Sequence, residues 1–220
     1  MVIKTSKPKN LTITKARIFS GYPLYYDKDG LVEEYLKSME QVLNNALAEH
    51  PRSLAVRVDL NLPKDFNDDS SEVITRFFRS LKSQVDADIK KKSKNAWCKY
   101  RYCTIRYVWA KECCTSTSSH YHVMMFFNRD IYNCLGLLEN GRSNLAIRIR
   151  NAWKRSVSAC YEGTERAMVH FPTQGVYSVS NKNETKEQVK NRVFYRMSYL
   201  AKLRSKNYGD SKKNFGASRV

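Results

Sequence analysis

Apolar and polar positions follow two rhythms along this chain, and the switches between them outline its elements. Leu31, Tyr35, Met39, Val42, Leu43, Ala46 and Leu47 recur every three or four residues until Pro51 halts the run, which predicts an amphipathic helix. Residues 53–62 then alternate: Leu54, Val56, Val58, Leu60 and Leu62 share one face, Arg57, Asp59 and Asn61 the other, as in a strand ended by Pro63. Asp69 and Glu72 form a capping-box signature ahead of Val73, Ile74, Phe77, Phe78, Leu81 and Val85, so a second helix is expected to about Lys91. Two strand-like runs, 103–112 and 120–127, flank a Ser/Thr-rich stretch suited to a hairpin loop. Leu145, Ile149, Trp153 and Val157 mark a helix over 143–159, and a short strand is read at 167–171. A last long helix is expected over 183–206, with Thr185 and Gln188 as its capping pair.

The order β-α-β-β-α-β followed by α predicts an α+β fold, a ferredoxin-like (split βαβ) antiparallel sheet with an appended helix. Three parts are expected: an irregular lead-in and packing helix over 1–52, the main domain over 53–206, and a basic tail over 207–220. That tail is rich in Gly, Ser and Lys, and is expected to order only around a partner.

Charge narrows the partner. Lys and Arg number 39 against 21 Asp and Glu, a formal +18, and half of the excess falls in residues 151–220. A strongly cationic chain is usually compensated by a polyanion, whose counterions are released when Lys and Arg replace them, so nucleic acid is the expected partner. At 42% hydrophobic and 12% aromatic, the 220 residues bury a core of their own. No run of about 18 apolar residues occurs and the start lacks the apolar segment of a secretory signal, so no membrane partner and a cytoplasmic location are expected. The six cysteines form no CxxC pair, which argues for reduced, mostly buried thiols.

Two constellations carry chemistry. His120 and His122 are two apart in a strand, so both imidazoles project from one face. Glu112 ends the preceding strand, and hairpin pairing would bring its carboxylate beside His120, making a two-His, one-carboxylate group suited to Mg²⁺ or Mn²⁺. The second set is Tyr195, Tyr199 and Lys202, which at 100° per residue fall within about 60° of one another around a helix. A tyrosine hydroxyl, with its ordinary pKa of about 10, needs a nearby cation or metal to act as a nucleophile, and Lys202 stands one turn on. Arg192, Arg196, Arg204, Lys206, Lys212 and Lys213 flank the tyrosines as candidate strand-holding groups. Tyr22, Tyr25 and Tyr26 either stack on unpaired bases or simply pack. His50 and His170 have no comparable partner and read as structural.

The segments around Glu112–Asn128, Ser198–Lys202 (SYLAK) and Asn214–Arg219 (NFGASR) resemble the HUH endonucleases, and more narrowly the inovirus gene II type replication proteins and their prophage relatives of the YagK/YfjJ kind. The resemblance implies a rolling-circle replication initiator that nicks one DNA strand, becomes joined to the 5′ phosphate through tyrosine and leaves a 3′ hydroxyl as primer. It also implies that Glu112, His120 and His122 hold the metal, that Tyr199 is the nucleophile, and that Lys202 assists it. Tyr195 has the spacing of a second tyrosine nucleophile, or is a packing residue. Asp59 touches metal or DNA, or pairs with a lysine. No GxxxxGK[ST] loop is present, so unwinding would fall to a separate host helicase, with a host polymerase extending the primer from single-stranded or hairpin origin DNA. A relaxase or transposase would use the same chemistry, whereas a non-enzymatic DNA-binding regulator would bind without metal.

Overall fold

A computed structural model describes residues 10–64, 66, 71–94, 102–112, 119–137, 143–159, 168–181, 185–204, 206, 208 and 213–219. The lead-in contains four two-residue strands, β1 (Ile13–Thr14), β2 (Ile18–Phe19), β3 (Tyr22–Pro23) and β4 (Leu31–Val32), before α1 (Glu33–Glu49). There follow β5 (Arg52–Asn61), α2 (Glu72–Lys94), β6 (Arg106–Glu112), β7 (His120–Asn128), α3 (Leu145–Ser158), β8 (Met168–His170), β9 (Val176–Ser180), α4 (Thr185–Ser198), a 3-10 turn (Tyr199–Ala201) and β10 (Phe215–Ala217). The result is a mixed α and β architecture with four α-helices among the described residues and antiparallel pairing throughout.

The central sheet runs β10-β6-β7-β5-β8, with β9 also on β5. β8 and β9 share one edge of β5, β8 opposite Asp59–Asn61 and β9 opposite Arg52–Val56. Between them the Arg57 N–H donates to the Gly175 carbonyl (2.7 Å). A side chain at Gly175 would press on the Pro172 carbonyl at 2.8 Å, so glycine permits this close return.

Both sheet faces are buried. Leu54, Val56, Val58 and Leu60 join Val123, Met125 and Phe127 in packing against α2 and α3. The opposite face, with Ala55, Val108, Ala110, Met124 and Phe126, packs against α1 and α4. Each fully buried Leu, Val or Phe contributes on the order of 1.5–3 kcal/mol, so the two layers dominate the stability of the sheet. The periodic helices behave accordingly: α1 buries Leu36, Met39, Val42, Leu43, Ala46 and Leu47, and α2 buries Val73, Ile74, Phe77, Phe78, Leu81, Val85 and Ile89. The Asn144 side chain caps α3, accepting from the Ile147 N–H at 3.1 Å.

Three expectations are corrected. The last helix does not run to 206: α4 stops at Ser198, and after the 3-10 turn Lys202 is extended and bridges to Leu31, with the Leu203 N–H donating to the Gly30 carbonyl. Local spacing is helical through 206, but long-range pairing with the lead-in wins. The described part of the lead-in packs against α4, with Tyr22 stacked on Phe194 at 4.3 Å between ring centres and the Tyr25 N–H bonded to Ser198 Oγ. The tail is not only a loop, because β10 adds a strand to the β6 edge, where Gly216 lies against the Trp109 indole so closely that a Cβ would come within 2.5 Å of it. The short β9 has no counterpart in the sequence pattern. Asp69, the Ser/Thr stretch 113–118 and the side chain of Thr185 lie outside the described residues.

Candidate metal centre and its tyrosine

Strand register assembles the site. Glu112 pairs opposite His120 across β6–β7, and Asp59 opposite His122 across β5–β7. Directly opposed residues share a face, so all four side chains project from the α1/α4 side at one end of the sheet. The hydrophobic layer beneath continues through Ala110 and Met124, which fixes the strands that carry them.

The geometry converges. His120 Nε2 and His122 Nε2 lie 3.1 Å apart, and Glu112 Oε2 is 3.5 Å from His122 Nε2 and 4.0 Å from His120 Nε2. One ligand atom from each residue falls within 4.8 Å of the others, so this buried Glu/His/His group could hold a metal ion. Asp59 Oδ1 sits 2.6 Å from His122 Nδ1. A proton on Nδ1 directed at that carboxylate leaves the Nε2 lone pair facing Glu112 and His120, the tautomer that ligation requires. Burial alone would raise the Glu112 pKa, but its neighbours His122 and Lys202 outweigh it and bring the carboxyl down to about 2. Asp59 is likewise opposed by burial, yet its bonds to His122 and Arg57 hold it far below the ordinary carboxylate range. Both carboxylates are therefore ionised at neutral pH, as ligand and orienting group must be.

Above this group sits Tyr199. Its ring lies edge-on to His122, with centres 5.4 Å apart. Lys202 Nζ donates to the Tyr199 hydroxyl at 2.5 Å and pairs with Glu112 Oε1 at 3.0 Å, so one buried ammonium links the tyrosine to the acidic member of the cluster. The end of α4 makes this possible. Extended at 202, the chain swings the lysine back under the ring, 3.8 Å from its centre.

The other expected residues divide. Tyr195 is 45% exposed on α4 and meets Tyr25 edge-on. Asp59 pairs with Arg57 (Nη2 2.8 Å) and His122, not with a lysine. Tyr22 packs, Tyr25 contacts Tyr199 at 5.0 Å between ring centres, and exposed Tyr26 lies under the Arg17 guanidinium. Arg192 and Lys213 are exposed, and Arg196 is half-buried. Lys206 is corrected: it is fully buried, its ammonium donates to the Lys202 carbonyl, and it is not displayed for a strand. Arg204 pairs with Asp27 at 2.7 Å. Lys212 lies outside the described residues. His50 accepts from the Thr104 N–H at 3.2 Å, while His170 Nδ1, exposed, lies 3.6 Å from Asp59 Oδ2. Of the two described cysteines, Cys103 is buried, with its thiol pushed up to about 12 by burial, and Cys134 is exposed.

A cavity of about 320 Å³ opens beside Tyr199, walled by Tyr25, Arg57, Asp59, His122, Pro172, Tyr195 and Arg196. Arg57 is the residue that sequence reasoning passed over. Its signal was parity, since it shares the strand face of Asp59 two residues on.

Fold and cluster together define an α+β protein whose antiparallel sheet presents a potential metal-binding Glu/His/His group beneath a lysine-held tyrosine. By family comparison the chain belongs to the YagK/YfjJ C-terminal domain family, whose model matches residues 14–218. It is 33% identical over 199 residues to "Uncharacterized protein YfjJ" of Escherichia coli (strain K12), covering 86% of this chain and 95% of that protein. It is 31% identical over 196 residues to "Uncharacterized protein YagK" of the same strain, covering 85% and 93%. No solved structure matches the chain. Among the described residues no helix is long and apolar enough to cross a membrane.

Proposed function

We propose that this protein is an HUH-type endonuclease that nicks single-stranded DNA and rejoins it through a 5′-phosphotyrosine, initiating rolling-circle replication of a phage, prophage or plasmid in a bacterial cytoplasm. The observation that carries the reading is the Tyr199 hydroxyl held at 2.5 Å by Lys202, itself 3.0 Å from the Glu112 carboxylate of the Glu/His/His group. A protein that only binds DNA has no physical need for a tyrosine wired to such a cluster. The strand order β8-β5-β7-β6 supports the ferredoxin-like, split βαβ reading of the sheet. The +18 charge supports a nucleic-acid substrate.

Glu112, His120 and His122 would hold the divalent ion, taken here as Mg²⁺ or Mn²⁺, and such an ion polarises a phosphodiester oxygen. Tyr199 supplies the attacking oxygen. Lys202 stabilises the phenolate as the hydroxyl proton departs, the new O–P bond forms, and the bond to the 3′ oxygen breaks. That oxygen takes up a proton and leaves as a 3′ hydroxyl, the primer for a separate polymerase, with unwinding left to a separate helicase. Reversal by a second 3′ hydroxyl restores a phosphodiester. Tyr195, which borders the same cavity, would take the second transfer, although it has no lysine of its own in the described contacts.

The test incubates labelled single-stranded and hairpin oligonucleotides with the protein in Mn²⁺ or EDTA, then looks for a denaturant-resistant protein–DNA adduct. Wild type is expected to form it only with Mn²⁺, and Tyr199→Phe to bind DNA without forming it. Tight binding with no adduct under any condition would make the protein a DNA-binding regulator instead.

A further inference from the structure

We propose that the cavity beside Tyr199 is a phosphate subsite in which Arg57 and Arg196 hold a backbone phosphate of the bound strand, next to the one that Tyr199 attacks. That the phosphate belongs to DNA rests on the function proposed above; the anion site does not.

Arg57 is the reason. Its side chain is only 5% exposed, yet it is not used up by the ion pair beneath it. Nε and Nη2 both donate to Asp59 Oδ1, at 3.1 and 2.8 Å, while Nη1 is buried and has no hydrogen-bond partner among the described residues. A buried, unpartnered guanidinium nitrogen costs stability, so its retention at a cavity wall calls for a ligand. The planar fork suits both duties, since one edge binds the orienting carboxylate while the remaining amine faces elsewhere, an arrangement a lysine cannot reproduce.

The surroundings select an anion. Arg196 projects from α4 onto the same cavity, near enough that its charge, after burial, disfavours that of Arg57. Asp59 is the one carboxylate in the lining among the described residues, and it is engaged by Arg57 and His122. Two cations converging on about 320 Å³ beside aromatic rings fit a phosphate with its nucleoside resting on Tyr25 or Tyr195. The cavity also shares Tyr195 and Arg196 with a more open groove of about 780 Å³ that Arg192 and Asn191 line, giving the strand a continuous path. Arg57 Cζ lies 5.8 Å from the Tyr199 ring centre, where Lys202 Nζ lies at 3.8 Å. The lysine thus serves the hydroxyl, and the arginine serves the neighbouring phosphate.

The experiment measures binding of a fluorescent thymidine 12-mer and of inorganic pyrophosphate in EDTA, where no strand cleavage intervenes, across a salt series. Arg57→Lys retains a charge against Asp59 and so keeps the fold, checked by circular dichroism; Arg196→Gln alters a half-buried helix position. Each is expected to weaken 12-mer binding about tenfold, the worth of a charge-assisted hydrogen bond, and Arg196→Gln, which removes a charge, to lower the salt slope by about 0.7 as well. Both variants binding the 12-mer within twofold of wild type overturns the subsite, whatever the adduct assay shows. Pyrophosphate binding that depends on Arg57, with the 12-mer unaffected, would place a free phosphate compound there and overturn the DNA assignment. An absent adduct with the Arg57 effect intact would sink the nuclease reading alone.

Discussion

Asp59→Asn tests how the sheet prepares the cluster. The substitution keeps the volume, and its amide oxygen still accepts from Arg57, whose Nη2 is 2.8 Å from the present carboxylate. What changes is the charge: the Oδ1 that accepts from Arg57 also lies 2.6 Å from His122 Nδ1, and a neutral amide oxygen in its place is the weaker acceptor, so it holds the ring proton on Nδ1, and with it the Nε2 lone pair facing Glu112, less firmly. Loss of such an orienting carboxylate weakens metal binding by about 10–100-fold, or about 1.4–2.7 kcal/mol. Stability should fall as well, because Arg57 is buried and loses its counter-charge, a change of order 3–5 kcal/mol when a buried pair is broken outright and less where the amide oxygen remains. Mn²⁺ titration followed by electron paramagnetic resonance reads the first effect, and urea unfolding without metal reads the second. A folded Asp59→Asn protein that binds Mn²⁺ as wild type does would refute the claim that this carboxylate sets the tautomer.

Two further outcomes follow from buried groups elsewhere. Burial depresses the Lys206 ammonium from 10.5 to about 7, so the folded state sheds a proton that the unfolded chain keeps. The penalty is full below about pH 7 and disappears as pH rises to about 10.5, at up to about 1.4 kcal/mol per pH unit. Relative to Lys206→Met, wild type should therefore gain stability in urea titrations from pH 7 to 9, and parallel profiles would contradict the assignment. Gly30 has φ +87°, and a Cβ there would stand 2.6 Å from Ile13 Cγ2 and 2.9 Å from the Thr14 carbonyl, so Gly30→Ala should cost at least about 2 kcal/mol in the same assay.

Much of the framework was legible because its elements obey local periodicity. β5, α2, β7 and α3 bury the residues whose spacing announced them, and the two-residue step between His120 and His122 placed both rings on one face. Glu112 could be found because hairpin pairing is local. The role of Asp59 was not, since its register opposite His122 joins strands about sixty residues apart, and composition holds no trace of that pairing. The end of α4 was hidden for a related reason: Tyr199, Leu200 and Ala201 keep a helical spacing, and only the bridge from Lys202 to Leu31, across the whole sequence, turns the chain out. β9 and β10 are too short to show a period, and they exist because edges of β5 and β6 were waiting for partners.

The interruption between β8 and β9 has a consequence for how molecules of this protein treat one another. An unbroken outer strand would offer a row of free N–H and C=O groups to any neighbour, the usual route to edge-to-edge aggregation. Here the outer rung is split at Pro172–Gly175, and the loop spends its Gly175 carbonyl on the Arg57 N–H. Proline and the bend deny a second copy any long register to zip against, while β10 covers the opposite flank. A protein carrying +18 charges and two exposed apolar side chains on that rim, Met168 and Val176, thereby keeps a sticky border discontinuous. The gap that protects against self-association also makes Pro172 a wall of the cavity beside Tyr199.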